Sequence, residues 1–482
     1  MNDGVRGRLA LATCMLLAAC AAGPDYVRPP APPLDRFTPA DPRVIRSGPA
    51  LPEQSVRAGA PVPARWWEAF GSAALNEIVG RALASSPTVD GARATLAQAR
   101  HEFEAAQGAL VPHVALSVAA RRGSLDGSGG VTNVFTTEPS IDWNPDVFGG
   151  TRRRVEQASA LVDYQRAHAR AVRLSLAGST VLQVIAIASI DEQMAAAEDI
   201  LAADERNVGL VTLSAEAGKS ARLDVLTARS QLDSDRAVLP ALRQQAAAGR
   251  HALAVLVGET PAGWEPARIP LSSLSMPAEL PLSVPSEWLR QRPDIAAAEA
   301  RLRAANAGVG IAAAALYPSF DLAAGWSATG RTPGALFAGA ATPWSLAASL
   351  LAPVLDGGTL AAQRAAAVQA YAAELAAYRQ EILQAFGQVA DALEQSRNDG
   401  ELLEIQTRAL DTAAATLDLT REGYRAGQAS LVQLLDAQRL YQQARLGQAR
   451  ALGQRFADCA QWFIVMGSGQ LDAPDEAARS RR

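Results

Sequence analysis

Nucleophiles, acid–base pairs and metal ligands are the residues from which reactions are built, and in this 482-residue chain they do not converge. The four histidines, His101, His113, His168 and His251, are scattered, with neither an HExxH pair on one helix face nor a Cys/His cluster. Their spacing predicts no metal site. Gly308-Val309-Gly310 lies in an Ala-rich helical run without a preceding strand or a third glycine in register, so it suits close helix packing rather than a dinucleotide. No phosphate-binding loop occurs, no Ser/His/Asp arrangement stands out, and Asp233 with Asp235 reads as a solvated helix face. The chain is expected to be no enzyme and to carry no cofactor.

One cysteine does have chemistry in its setting. Arg6 and Arg8, the apolar run over 9–19 and Leu17-Ala18-Ala19-Cys20 form a charged n-region, an h-region and a cleavage site. A cysteine directly after Leu-Ala-Ala resembles the bacterial lipobox, in which cleavage behind residue 19 leaves Cys20 as the lipidated first residue. The alternative is an ordinary secretory leader with a chance cysteine, and the lipobox is the better reading because all four of its positions fit. Cleavage also removes Cys14, leaving Cys20 and Cys459, and a lipid-bearing thiol cannot pair, so no structural disulfide is expected. Ala21, where aspartate would favour retention at the inner membrane, points to outer-membrane sorting. Several acyl chains on one cysteine anchor firmly.

Bulk charge excludes another class. Net charge is -4, Lys219 is the sole lysine, and no basic stretch offers a nucleic-acid surface. Aromatics make up 5% and alanine abounds, which favours many closely packed helices.

The elements that must position these residues come in duplicate. The chain contains itself twice at an offset of about 206 to 209 positions. Pro87 and Pro112 answer to Pro293 and Pro318, Pro145-x3-Gly149-Gly150-Thr151 to Pro353-x3-Gly357-Gly358-Thr359, and Ala217-Gly218 to Ala426-Gly427. Each copy reads helix, strand pair, very long helix, turn, helix. Residues 1–19 are the leader, 20–63 a proline-rich extended tether, 64–258 the first repeat, 259–285 a proline-rich connector, 286–468 the second repeat and 469–482 a disordered tail.

Strands are expected at about 112–122, 134–144, 318–328 and 342–352. Phe320, Leu322, Ala324 and Trp326 alternate with Asp321, Ala323, Gly325 and Ser327, and Val114, Leu116 and Val118 with Ala115 and Ser117. Alternation over about ten residues is the signature of a membrane-spanning strand, and equally of a soluble sheet with one wet face. If the strands span, lipid forbids open edges and four strands are too few to close a barrel. Two copies would make eight strands filled by side chains, and three would make twelve around a lumen.

Helical hairpins follow at 150–257 and 358–463, their first arms running to about residues 210 and 424. In the second, Tyr371, Leu375, Tyr378, Ile382, Phe386, Val389 and Leu393 keep coiled-coil spacing.

Together these residues resemble the outer-membrane factor family, the TolC-like ducts of multidrug efflux and type I secretion, and most closely its lipoprotein branch. The motifs are Cys20-Ala21-Ala22-Gly23-Pro24-Asp25-Tyr26, Trp66-Trp67 with Phe70-Gly71, Arg292-Pro293-Asp294-Ile295, Tyr317-Pro318, Asp356-Gly357-Gly358, Tyr424-Arg425-Ala426-Gly427 and Leu434-Leu435-Asp436-Ala437. Departures fall at Trp143-Asn144-Pro145-Asp146, where an acidic residue and an aliphatic usually follow the Trp, and at Leu355, where Phe is common. The resemblance implies a mainly α protein with a membrane β-barrel: a homotrimer whose twelve-stranded β-barrel in the outer membrane continues into a twelve-helix α-barrel in the periplasm. It implies a passive duct fed by an inner-membrane pump, proton-driven in this branch, through a periplasmic adaptor. The adaptor would engage the hairpin tips, here Val208, Gly209, Leu210 and Gly218 with Gly423, Tyr424 and Gly427. Asp411, Asp418 and Arg421 would form the gate, since a charged ring at a constriction selects ions and can lock by pairing. The same three also read as an exposed helix face with an Asp–Arg pair one turn apart. Alternatives of other kinds are a lipid-tethered periplasmic coiled-coil scaffold without a pore and a type I protein secretion duct.

Overall fold

The computed structural model describes residues 22–30, 36–39, 43–46, 48, 51–123, 131–336 and 343–467. Cys20, the glycine-rich stretch 124–130 and the tail 469–482 lie outside the described residues. The chain divides into two compact units that cut across the repeats. One takes the described residues up to Pro30 with Ala94–Arg166 and Ala296–Gln380, and the other takes Ala31–Arg93, Ala167–Ile295 and the rest from Glu381.

The first unit holds a sheet of antiparallel strands. β3 (His113–Gly123) pairs with β4 (Thr132–Trp143), β4 with β6 (Ser319–Trp326) and β6 with β8 (Trp344–Leu351). The short β7 (Ala328–Gly330) pairs with Phe135–Thr137 of β4, and β6 pairs with Ser140–Trp143 of β4. Glu138 and Pro139 fall between the two. Pro139 has no N–H for the ladder, and prolines inside sheets sit at such interruptions. Two copies of one strand pair are thus joined side by side through β4 and β6. Helix α2 (Pro87–Gly108) packs Leu96, Ala99 and Phe103 on Val162 of α3 (Gly150–Glu216) within this unit. The segment 22–28, expected as free tether, lies here against α3 and α7 (Pro293–Ala314).

The second unit is mostly helical. The expected tether supplies two strands to it, because β2 (Gln54–Ala58) pairs antiparallel with β1 (Val44–Ile45) and parallel with β5 (Glu279–Leu282) of the connector. No regular structure is expected within the extended tether of 20–63, but the prolines fall around β1 and β2 rather than within them, so the ladder survives. A 3-10 helix at Trp66–Phe70 leads to α1 (Ala73–Ser85), and the short α6 (Pro285–Gln291) follows β5. Trp66, Trp288 and Trp462 are buried together with Phe70. Trp66 stacks on Phe463 at 5.5 Å, and the indole N–H groups of Trp288 and Trp462 donate to the carbonyls of Val465 (3.3 Å) and Pro281 (2.8 Å). Burying large aromatics, with the N–H groups of Trp288 and Trp462 satisfied, gives this unit an aromatic core.

The two long helices, α3 and α8 (Thr359–Arg425), each have 67 residues, about 100 Å at the standard rise. Tyr378, Ile382, Val389 and Leu393 of the coiled-coil stripe are buried and Tyr371, Leu375 and Phe386 half-buried. One 18-residue stretch of α3 is apolar enough to cross a membrane, but 56% of it is buried against protein. Both helices stop on a left-handed glycine, Gly218 (φ 72°) and Gly427 (φ 73°). The bonds match: Lys219 N–H to Ser214 and Gln428 N–H to Gly423 span five residues, and Gly218 N–H to Ala215 and Gly427 N–H to Tyr424 span three. That is the Schellman closure. The first long helix therefore outruns its expected end near residue 210, since nothing before Gly218 stops it. Its return arm is also not one helix. α4 (Arg222–Arg236) gives way to α5 (Val238–Leu256), because Pro240 cannot donate to the carbonyl of Arg236 and its ring crowds that carbonyl. The second return arm, α9 (Leu431–Met466), has no proline and is continuous.

Candidate functional site

The sheet has two chemically distinct faces. Register places Val114, Leu116, Val118, Ile141, Phe320, Leu322, Trp344, Leu346 and Leu350 on one side. All nine are exposed, Trp344 and Leu346 to 77% and 76%. Ala115, Ser117, Ser140, Asp142, Asp321, Ala323, Ser345 and Ser349 occupy the other side. An apolar face this large and this bare belongs in lipid, and a face of small and acidic residues belongs in water.

Each strand pair passes into its long helix through an aspartate. The Asp146 carboxylate accepts from the N–H groups of Thr151 (2.7 Å) and Arg152 (2.8 Å), and that of Asp356 accepts from Gly358 (2.9 Å) and Leu360 (2.7 Å). Those hydrogen bonds hold the Asp356 carboxyl below its usual range. A carboxylate there satisfies orphan donors and meets the positive end of the helix. Asn144, one of the departures in the first copy, has a role: its amide donates to Asp321 (3.0 Å) and its oxygen accepts from the Asp146 N–H (2.9 Å). It steers Asp146 into a left-handed conformation (φ 49°). At the same junction Phe148 stacks on Tyr317 at 4.8 Å and lies 6.4 Å from Phe320.

The expected tip residues divide. Gly218 and Gly427 are the turns, Gly423 and Tyr424 form the last turn of α8, and Val208, Gly209 and Leu210 lie within α3, two turns before its end. Tyr424 packs against the buried cluster formed by Val211, Leu417, Leu431, Leu434, Leu435 and Ala437. Of the gate residues, Asp418 and Arg421 meet at 3.5 Å, and Asp411, two turns earlier, is exposed on the same helix. The structure thus shows the pair one turn apart that an ordinary helix face would also give.

Beside that pair lies a cluster that sequence reasoning missed. Asp418, Arg421, Asp204, Gln438, Gln442 and Arg445 line a cavity of about 220 Å³. Gln442 donates to Asp204 (3.1 Å) and to Asp235 (3.0 Å), and Gln231 also donates to Asp235 (2.9 Å). Asp204 is buried. Burial first, and then the adjoining Asp235 carboxyl, push Asp204 up to about 7. Asp235 is therefore part of a buried network and not the solvated face expected of it, whereas Asp233 is exposed on Arg236. The available signal was that Asp204, Asp235 and Gln442 sit on three helices meant to bundle, which spacing along one helix cannot show.

A sheet with a bare apolar face, passing at capped junctions into helices of 67 residues each, is that of a membrane protein. The profile of the family described as "Outer membrane efflux protein" matches this chain twice, over residues 78–259 and 284–461. The chain belongs to that family. It is 32% identical over 450 residues to the pyoverdine export outer membrane protein OpmQ of Pseudomonas aeruginosa, covering 89% of this chain and 90% of that one. It is 27% identical over 433 residues to the probable outer membrane lipoprotein SilC of Salmonella typhimurium (89% and 92% covered). Among solved structures, the outer-membrane channel OprN superposes with a TM-score of 0.83 at 26% identity, over 94% of this chain and all of that one. The family consists of efflux ducts and not of enzymes. This protein is accordingly an outer-membrane exit duct of an efflux system, with the TolC-like fold.

Proposed function

We propose that three copies of this chain form one continuous duct, anchored by lipid on Cys20 and fed by an inner-membrane pump, proton-driven in this branch, through a periplasmic adaptor. The supporting observation is the sheet's open ends. Among the described residues β3 pairs only with β4 and β8 only with β6. Lipid tolerates no bare strand edge, so β8 of one copy must meet β3 of the next. Three copies give twelve strands, a count that leaves a lumen. The apolar face then meets lipid, Asp142 and Asp321 face the lumen, and the long hairpins make a wall of twelve helices. Within it the tips meet the adaptor, and Asp411, Asp418 and Arg421 narrow the end. The duct conducts passively, the pump supplying the work.

The test has two parts. Outer-membrane fractions should yield a carbonate-resistant, heat-labile trimer, and finding only soluble monomer would eliminate the trimeric duct. In planar bilayers, wild-type channels should stay mostly closed and Asp418→Ala should conduct more. An unchanged Asp418→Ala would remove the gate assignment and leave the trimer standing.

A further inference from the structure

The stretch of α8 before its glycine turn carries three threonines at intervals of four, and each bonds to its own helix. The Thr412 hydroxyl donates to the carbonyl of Arg408 (2.9 Å), that of Thr416 to the carbonyl of Thr412 (2.8 Å) and that of Thr420 to the carbonyl of Thr416 (2.7 Å). At 3.6 residues per turn the three share one face. Asp411, Asp418 and Arg421 lie on the opposite face, and so do Ala414 and Leu417, which line the cavity of about 220 Å³ against α3 and α9. Nearer the strands α8 is pinned. No Cβ fits on Gly400, because the Arg46 carbonyl just after β1 crosses it, and a Cβ on Gly48 would lie 3.3 Å from the Glu404 Cα. Gln54 of β2, fully buried, donates to the Pro277 carbonyl at 2.7 Å and accepts from the buried Arg455 guanidinium of α9. Strap, α8 and α9 are thus clasped together at Gly400.

A hydroxyl that shares the carbonyl four residues back draws that carbonyl outward, and a helix whose carbonyls tilt outward along one face is convex on that face. Three such bonds in line act in the same direction. A close-packed interior would resist the bend, whereas a cavity on the concave side leaves room for it. The first copy has no such stripe. By the offset of 209, Thr412, Thr416 and Thr420 answer to Ala203, Asn207 and Val211, none of which carries a hydroxyl. Gly400 answers to Asp191, which Arg250 holds at 2.8 Å, and the comparable stretch of α3 has a single back-bonded threonine, Thr212 on the Val208 carbonyl (2.7 Å).

Resting on the reading of Asp411, Asp418 and Arg421 as the gate, we infer that the hydroxyls of Thr412, Thr416 and Thr420 bend the arm of α8 between its clasp at Gly400 and its turn at Gly427, and so press the gate residues into the constriction. The convex face is the threonine face, so the arm leans toward the side that bears the charges. From Gly400 to Arg425 that arm is about 38 Å long at the standard rise, and a small change of curvature is magnified at its tip. The three threonines are positioning residues, acting through the backbone of α8 and not on the cargo. Stripe, clasp and charges all belong to the second hairpin, so the helix that charges the constriction is also the one shaped to reach into it.

The experiment compares the full wild-type chain with two triple variants. Thr412→Val/Thr416→Val/Thr420→Val keeps the shape of the side chains and loses the hydroxyls, and Thr412→Ser/Thr416→Ser/Thr420→Ser keeps the hydroxyls. Each is made with Leu419→Cys for a spin label, since Leu419 is exposed and the buried Cys459 escapes labelling. In outer-membrane oligomers the distances between labels should lengthen in the valine variant and return to wild-type values in the serine variant. In planar bilayers the unlabelled valine variant should stay open roughly threefold longer, a bias of about 0.7 kcal/mol, and the serine variant should match wild type. Thr416→Val alone, one isosteric change on an exposed face, should shift both readings less and in the same direction. Unchanged distances in the two valine variants would overturn the bend, and so would a serine variant that behaves like the valine one. Longer distances with unchanged open time would leave the bend standing and remove the gate reading instead.

Discussion

At the scale of single residues, the most informative side chain is Asp204, because its carboxyl gives the periplasmic helices a built-in response to pH. It is buried between α3, α4 and α9, with Gln442 bridging it to Asp235 and Arg421 and Arg445 lining the adjoining cavity. Unfolded, it would lose its proton near the ordinary value of about 3.9. Folded, it holds the proton up to about 7. The folded state thus binds more protons between these two values, so this group costs stability increasingly as pH rises through that window and costs most above it. Asp204→Asn, which mimics the protonated acid, should flatten that dependence: the fall in melting temperature between pH 5 and pH 8 should shrink by a few degrees, at about 1 °C per kcal/mol for a chain of this length. Circular dichroism melts at the two pH values measure it, and a variant with the wild-type slope would show that Asp204 does not titrate there. Asp204 could not be singled out in the sequence, since neither its partners nor its burial leave a trace within ten residues of it.

At the scale of elements, the two faces of the strands carry the clearest expectation. Leu346 and Ala347 are neighbours on β8, one on each face, and Leu346 is 76% exposed. Leu346→Arg puts a charge into hydrocarbon at a cost of about 2–4 kcal/mol near the midplane, whereas Ala347→Arg puts it into water. The yield of heat-labile oligomer in outer-membrane fractions should drop for the first and hold for the second. Equal yields would mean that the apolar face does not meet lipid. These strands were legible in advance because alternation is local: Phe320, Leu322, Ala324 and Trp326 advertise a face without help from elsewhere in the chain. The hairpin turns were legible for a similar reason, each carrying a glycine that the left-handed position requires. The break at Ala237 was missed although Pro240 announces it, because the apolar periodicity runs through unchanged. The strands β1 and β2 were missed because β5, the second partner of β2, lies more than 220 residues away, and strands of two and five residues among prolines carry almost no pattern of their own.

At the scale of the molecule, the duplication is the organising fact, and its imperfections say where function lies. The family profile matches each copy separately, and the sheet joins the copies edge to edge. If three chains close the duct, its wall has six similar hairpins, but only the second of each pair bears the charges proposed as the gate. By the offset of 209, Asp411, Asp418 and Arg421 correspond to Ala202, Gly209 and Thr212. A constriction set by a ring of charge should then have threefold symmetry, from second hairpins alone, with first hairpins as the supporting wall. This can be tested by adding charge where the first copy lacks it. Gly209 is exposed and a Cβ there meets nothing within 4 Å, so Gly209→Asp fits without strain. On a threefold ring of second hairpins it should leave single-channel conductance close to wild type, while Asp418→Ala raises it, because removing like charges from a constriction changes the barrier there and adding them to the outer wall does not. A Gly209→Asp channel that closes further, or that cancels the effect of Asp418→Ala in the double variant, would mean that both hairpins face the pore and that the ring is sixfold.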